Sequence, residues 1–131
     1  MAFVESVELQ ARSVRLVPLG TQHEAGLAAA AADGELWKLR ITSVPTPEQT
    51  SQYIAEALSM REAGHRFAFA VLDAASGTVL GSSSYHDIVP AIKRLEIGWT
   101  WYAKRCQRTH VNSTAKLLLM THAFETLGCN V

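Results

Sequence analysis

The sequence predicts an α/β (α+β) fold: a mixed, mainly antiparallel sheet flanked by helices. Two observations carry that reading. Residues 66–72, 78–85 and 95–102 are short apolar or alternating runs joined by turn chemistry, the pattern of an antiparallel meander. Residues 21–32, 45–64 and 111–127 carry helix start and stop signals around apolar stretches. With 131 residues and 48% apolar content, the chain suffices for one core and one domain, 1–131.

In chain order, Val14–Leu19 is a β-rich run with Val14 and Leu16 on one face, ended by Pro18 and Gly20, and reads as an edge strand. Thr21-x-x-Glu24 is a capping box that opens an alanine-rich helix, and Asp33-Gly34 stops it. Leu36, Trp37, Leu39 and Ile41 supply apolar cover for the core. Thr46-Pro47-Glu48-Gln49 gives the next helix a capping threonine, a proline at its first position and a glutamine three residues on. Tyr53, Ile54, Ala57, Leu58 and Arg61 follow at helical spacing, and Gly64 ends the segment.

Arg66–Leu72 is apolar on both alternating faces, as in a central strand covered on both sides. Asp73–Gly77 turns it into residues 78–85, and residues 86–94 form a loop broken by Pro90. Leu95, Ile97, Trp99 and Trp101 then alternate with Glu96, Gly98, Thr100 and Tyr102. The helix at 111–127 is apolar around most of its circumference and is expected to be sandwiched.

The stretch from Leu95 to Leu127 is a strand, a cationic loop and a helix. Such an arrangement leaves the first N–H groups of the helix unpaired beside the strand end, with the positive end of the helix dipole behind them, and so suits a phosphate. Lys104, Arg105, Arg108 and Lys116 surround the loop, His110 adds to them, and no carboxylate occurs between Glu96 and Glu125. Over the whole chain, twelve basic and twelve acidic residues balance, which gives no bulk attraction to nucleic acid or to a membrane surface. Two cysteines do not make a disulfide framework or a metal-ligand pair, so a reducing cytoplasm and no metal are expected. Neither a transmembrane-length apolar run nor a secretory signal is present.

The order of elements, with EIGWTWY, QRTHVN and AKLLLMTHAFETLG, resembles the Gcn5-related N-acetyltransferase superfamily, and most of all its bacterial branch related to ribosomal-protein alanine N-acetyltransferases. The resemblance implies an acyl-CoA N-acyltransferase fold that uses acetyl-CoA as cosubstrate. Its loop carries a Gln/Arg-x-x-Gly-x-Gly/Ala pattern whose backbone amides hold the pyrophosphate. Gln107, Arg108, Thr109, His110, Val111 and Asn112 occupy those six positions, with His110 and Asn112 standing where small residues are usual and Asn112 able to cap the helix. The resemblance also implies that a backbone N–H near Trp101 or Tyr102 holds the thioester carbonyl. Members continue for several more strands and a helix, so the expectation is a domain truncated after its fourth strand and third helix. Its open edge predicts a homodimer or higher oligomer.

The implied reaction moves an acetyl group to a primary amine, on a protein N-terminus or a small molecule. It needs a base for the amine and a donor for the leaving thiolate. Glu96, expected on the face opposite the tryptophans, is either that base or an ion-paired strand carboxylate; Tyr85 and His86 follow it. Trp99 and Trp101 read as core before channel. Arg108 is the leading anion contact, Lys116 a phosphate contact or a solvated lysine, and Cys106 lacks the partner a nucleophile needs. The competing readings are a non-catalytic CoA-binding or assembly module and, on the same loop, a nucleotide-binding protein without a Walker or Rossmann glycine pattern.

Overall fold

A computed structural model describes residues 7–38, 44–107 and 109–129. Leu39 and Ile41, the Trp37 side chain, Arg108, Asn130 and Val131 lie outside that description. Five strands, β1 (Leu9–Ala11), β2 (Val14–Pro18), β3 (Arg66–Asp73), β4 (Val79–Val89) and β5 (Arg94–Tyr102), pair in chain order as one antiparallel sheet. The helices are α1 (Glu24–Ala32), α2 (Thr50–Glu62) and α3 (His110–Thr121). Among the described residues no helix is long and apolar enough to cross a membrane.

The sheet has one strand more than the sequence predicts. β1 folds back on β2 through Arg12 and Ser13, both at positive φ (48° and 66°), so the run at residue 14 is an inner strand instead of an edge. A tight two-residue hairpin needs that left-handed backbone, and Arg-Ser lacks the Asn-Gly signature that would have announced it. β4 continues through Val89 where a loop was expected, and the chain turns at Pro90–Ile92 with Lys93 in the left-handed region.

Residues directly opposite one another on paired strands project to the same face. Arg66, His86 and Glu96 therefore form one row, Ala68, Ser84 and Gly98 the next, and Ala70, Ser82 and Trp101 a third. α1 and α2 cover this face: Gly26 packs on Val79, and the Tyr53 hydroxyl meets Arg66. α3 covers the other face, where Tyr85, Phe67 and Phe69 form the aromatic core.

The helix starts differ in how they follow the sequence. Gln49 Oε1 accepts the Thr46 N–H at 3.3 Å, as the capping pattern requires. At the first helix the Thr21/Glu24 box does not form; the chain enters through a 3₁₀ turn, and His23 Nδ1 accepts the Gly20 N–H at 3.0 Å. α3 passes into a wider turn at His122–Thr126, and Gly128 at φ 72° ends it. It is half covered, not sandwiched: Val111, Ala115 and Leu119 are buried, whereas Leu117, Met120 and Phe124 face outward.

His23 and His122 are buried, and desolvation lowers the pKa of each below the usual histidine value. The unfolded chain then binds more protons than the folded one as pH falls through the unfolded value near 6.5, so the neutral rings stabilise the fold above that pH and lose their contribution below it. Urea unfolding is expected to give lower stability at pH 5.5 than at pH 7.5, with a flatter profile in His122→Leu. A stability that rises on acidification would contradict this assignment.

Candidate active site

The first construction feature is a bulge in β5. Ser84 pairs with Gly98 and Ser82 with Trp101, so Ser83 alone opposes Trp99 and Thr100. Trp99 sits at φ 53°, a conformation that costs a bulky residue about 1–3 kcal/mol and recurs at functional sites. The extra residue inverts the alternation. Trp101 moves onto the face of Glu96, which corrects the expectation that the two lie on opposite faces. Trp101 is buried and donates Nε1–H to the Tyr53 hydroxyl at 3.3 Å. Trp99 is 36% exposed and lies over the Arg66 guanidinium, 4.2 Å from its ring centroid.

Arg66 opens the apolar run of β3, and no signal in the sequence marks it as part of a site. Its guanidinium is 1% exposed, donates from Nε to Ser84 Oγ at 3.0 Å and from an η nitrogen to the Tyr53 hydroxyl at 3.1 Å. It forms no ion pair among the described residues, so the tyrosine and tryptophan faces help to compensate its burial. Tyr53 also lines a cavity of about 210 Å³ with Val44, Pro45, Gln49, Gln52 and Glu56.

A second bulge lies opposite Leu95, which faces both Asp87 and Ile88; Asp87 adopts φ 47°. The turn brings the Asp87 carboxylate back toward His86, 3.3 Å from Nδ1. Donor atoms of His86, Asp87 and Glu96 all lie within 4.8 Å of one another.

Tyr85, the other proposed catalytic side chain, lies apart from this group. It is fully buried on the opposite face, its hydroxyl donates to the Leu119 carbonyl, and burial pushes its pKa up. It is a core anchor for α3. Because its register partner is Ile97, it cannot face the same space as Glu96.

At the other end of β5 the Ala103 N–H is spent on the Leu80 carbonyl of β4, so the N–H and C=O of Tyr102 point to the edge that pairs with no other strand among the described residues, called the free edge below. Gln107 donates its side-chain amide to that Tyr102 carbonyl at 3.4 Å. The N–H groups of Gln107 and Thr109 close turns onto Lys104 and Cys106. Thr109, not Asn112, caps α3, accepting the Val111 N–H at 3.3 Å. His110 and Asn112 are left to present first-turn N–H groups outward.

The His110 ring turns away to donate to the Arg12 carbonyl and meet Ser13 Oγ. The loop is also less cationic than its sequence suggests, because Asp33, 72 residues away, takes both the N–H and the guanidinium of Arg105. Cys106 is buried, and desolvation raises its pKa, which leaves it a thiol. Lys116 is exposed and lines a groove of about 290 Å³ with Leu95, Ile97, Met120, Ala123 and Phe124.

Residues 13–131 match the family model of the acetyltransferase (GNAT) domain. The chain belongs to the GNAT acetyltransferase family. A GCN5-related N-acetyltransferase from Brucella melitensis shares 30% identity and superposes with a TM-score of 0.82, over 96% of this chain and 58% of that one. The fold also matches RimL, a ribosomal-protein alpha-N-acetyltransferase, at 17% identity and a TM-score of 0.78, over 98% of this chain and 70% of that one. A RimL structure in complex with coenzyme A gives 19% identity, a TM-score of 0.72, and coverage of 88% and 67%. No curated protein matches the chain. This GNAT chain thus spans 58% to 70% of the length of these three solved relatives. The five-stranded antiparallel sheet with three helices matches the acyl-CoA N-acyltransferase fold of the GNAT relatives.

Proposed function

We propose that the chain, as one domain, holds acetyl-CoA and transfers its acetyl group to a primary amine of a protein N-terminus or a small molecule. The observation that carries this reading is the free edge of β5 at Tyr102 beside the capped start of α3. The first-turn N–H groups of His110 and Asn112 would take the pyrophosphate, with Thr109 and Val111 fixing the helix start and Gln107 the loop. Arg108 and Lys116 would add charge. The Tyr102 N–H, next to Trp101, would hold the thioester carbonyl and then its oxyanion.

The amine is protonated in water and must be neutral to attack. Glu96 takes a proton from it, directly or through water, the C–N bond forms, and the C–S bond breaks as the tetrahedral intermediate collapses. The nitrogen, which carries a positive charge in that intermediate, gives up its second proton to the thiolate as it departs, leaving the amide and the free thiol. Exposed Leu117, Met120 and Phe124 support self-association into a homodimer or higher oligomer. A cytoplasmic setting, without nucleic acid, membrane or metal as partner, completes the reading.

A CoA-binding or assembly module without turnover is the second reading. It is favoured by the locked Tyr85, which removes one candidate catalytic side chain from the site.

A thermal-shift titration separates the readings from a nucleotide-binding protein. Acetyl-CoA at about 100 times its dissociation constant should stabilise the fold by roughly 2.7 kcal/mol, and ATP should not. No shift with acetyl-CoA overturns both CoA readings, and thiol release with a panel of amines then decides between enzyme and module.

A further inference from the structure

Two distortions of the sheet converge on one side chain that the proposed reaction has not used. His86 lies in the row between Arg66 and Glu96. On a regular strand its neighbour Asp87 would project to the opposite face. The bulge and the positive φ of Asp87 bring its carboxylate to Nδ1 instead.

On its other side the ring lies against Gly98. A Cβ at that position would come within 2.4 Å of Nε2, so the glycine leaves the space in which the ring rests. Nε2 is thereby placed one residue from the Trp99 bulge. The charged groups around the ring are Asp87 on its own strand, Glu96 on β5, and Arg66 on β3, whose guanidinium is tied to Tyr53 of α2; Arg94 of β5 lies near the Asp87 carboxylate. The His86 side chain is 22% exposed, enough for a substrate or a water to reach it.

We propose that His86 is a further catalytic residue of the acetyl transfer, acting with Glu96 as one proton acceptor, and that Asp87 is its positioning residue. The inference rests on the acetyl-transfer reading. The ammonium N–H bond breaks, Glu96 receives the proton, and a single bridging water passes it to His86 Nε2. The Nδ1–H stays on the Asp87 carboxylate. The imidazolium then releases its proton to solvent, which restores the neutral ring. Asp87 thus has the task of keeping the tautomer in which Nε2 carries the lone pair.

Ring-nitrogen NMR on the wild-type chain tests the geometry without any turnover. At pH 8.5 the proton of His86 is expected on Nδ1, and Asp87→Asn is expected to weaken that preference. A proton on Nε2 in the wild type overturns the proposal. In the kinetic arm, His86→Gln is expected to lower kcat by about 100-fold and to shift the acidic limb of the pH profile. Asp87→Asn is expected to lower kcat by less. KM for acetyl-CoA should hold in both variants. Activity of His86→Gln within twofold of wild type also overturns the proposal. Should the wild type bind acetyl-CoA but acetylate no amine, the transfer reading fails by itself, and the tautomer alone decides the Asp87–His86 pair.

Discussion

Glu96→Gln is expected to lower kcat/KM for acetyl transfer by about 100-fold or more, while the affinity for acetyl-CoA stays unchanged. The substitution keeps size and hydrogen bonding but removes the charge that accepts the ammonium proton. Glu96 is exposed and on the face away from the α3 core, so the fold should not notice the change. Activity should return as pH rises toward the pKa of the free amine, since solvent then supplies the neutral nucleophile. A rate unchanged near neutral pH would remove Glu96 from the reaction.

The second large effect concerns Arg66. Arg66→Ala deletes a fully buried side chain, leaves Ser84 Oγ without its donor and the Tyr53 hydroxyl with Trp101 alone, beneath a Trp99 ring that loses its cation. A loss of about 3 kcal/mol is expected from the cavity and the stranded polar groups together. Arg66→Met keeps the packed stem and removes the cost of burying a charge, so it should stay within about 1.5 kcal/mol of wild type. Urea denaturation of the two variants measures the difference. Equal, large losses would mean that the guanidinium contacts dominate over packing.

The parts of the fold that were legible in the sequence depend on local chemistry. The Asp73–Gly77 turn needs a carboxylate that accepts the Ala75 N–H and a residue at positive φ, and Asp73 and Gly77 supply both. Thr46-Pro47 fixes a helix start through backbone preferences that no distant contact has to complete. The two-sided apolarity of Phe67–Leu72 follows from a central position between helices.

What stayed hidden depends on long-range contacts or on backbone angles the residues do not advertise. Trp99 and Asp87 take left-handed angles that neither tryptophan nor a strand interior suggests, and each bulge changes which side chains share a face. That is why Glu96 and Trp101 meet on one face, and why Asp87 escaped notice as a site residue. Arg105 looked free because its partner, Asp33, closes α1 at the other end of the chain. Tyr85 looked accessible because period two alone does not say which face of the sheet α3 covers. The order of elements together with EIGWTWY, QRTHVN and AKLLLMTHAFETLG did point to the family.

The central claim is that the free edge at Tyr102 and the first turn of α3 form one CoA site. Its most direct test is an amide NMR titration of the chain with coenzyme A. Saturable shifts are expected at Tyr102, His110 and Asn112, with Gly64 and Lys93, at the opposite end of the sheet, unmoved. Saturation that leaves the His110 and Asn112 amides where they were would contradict the account.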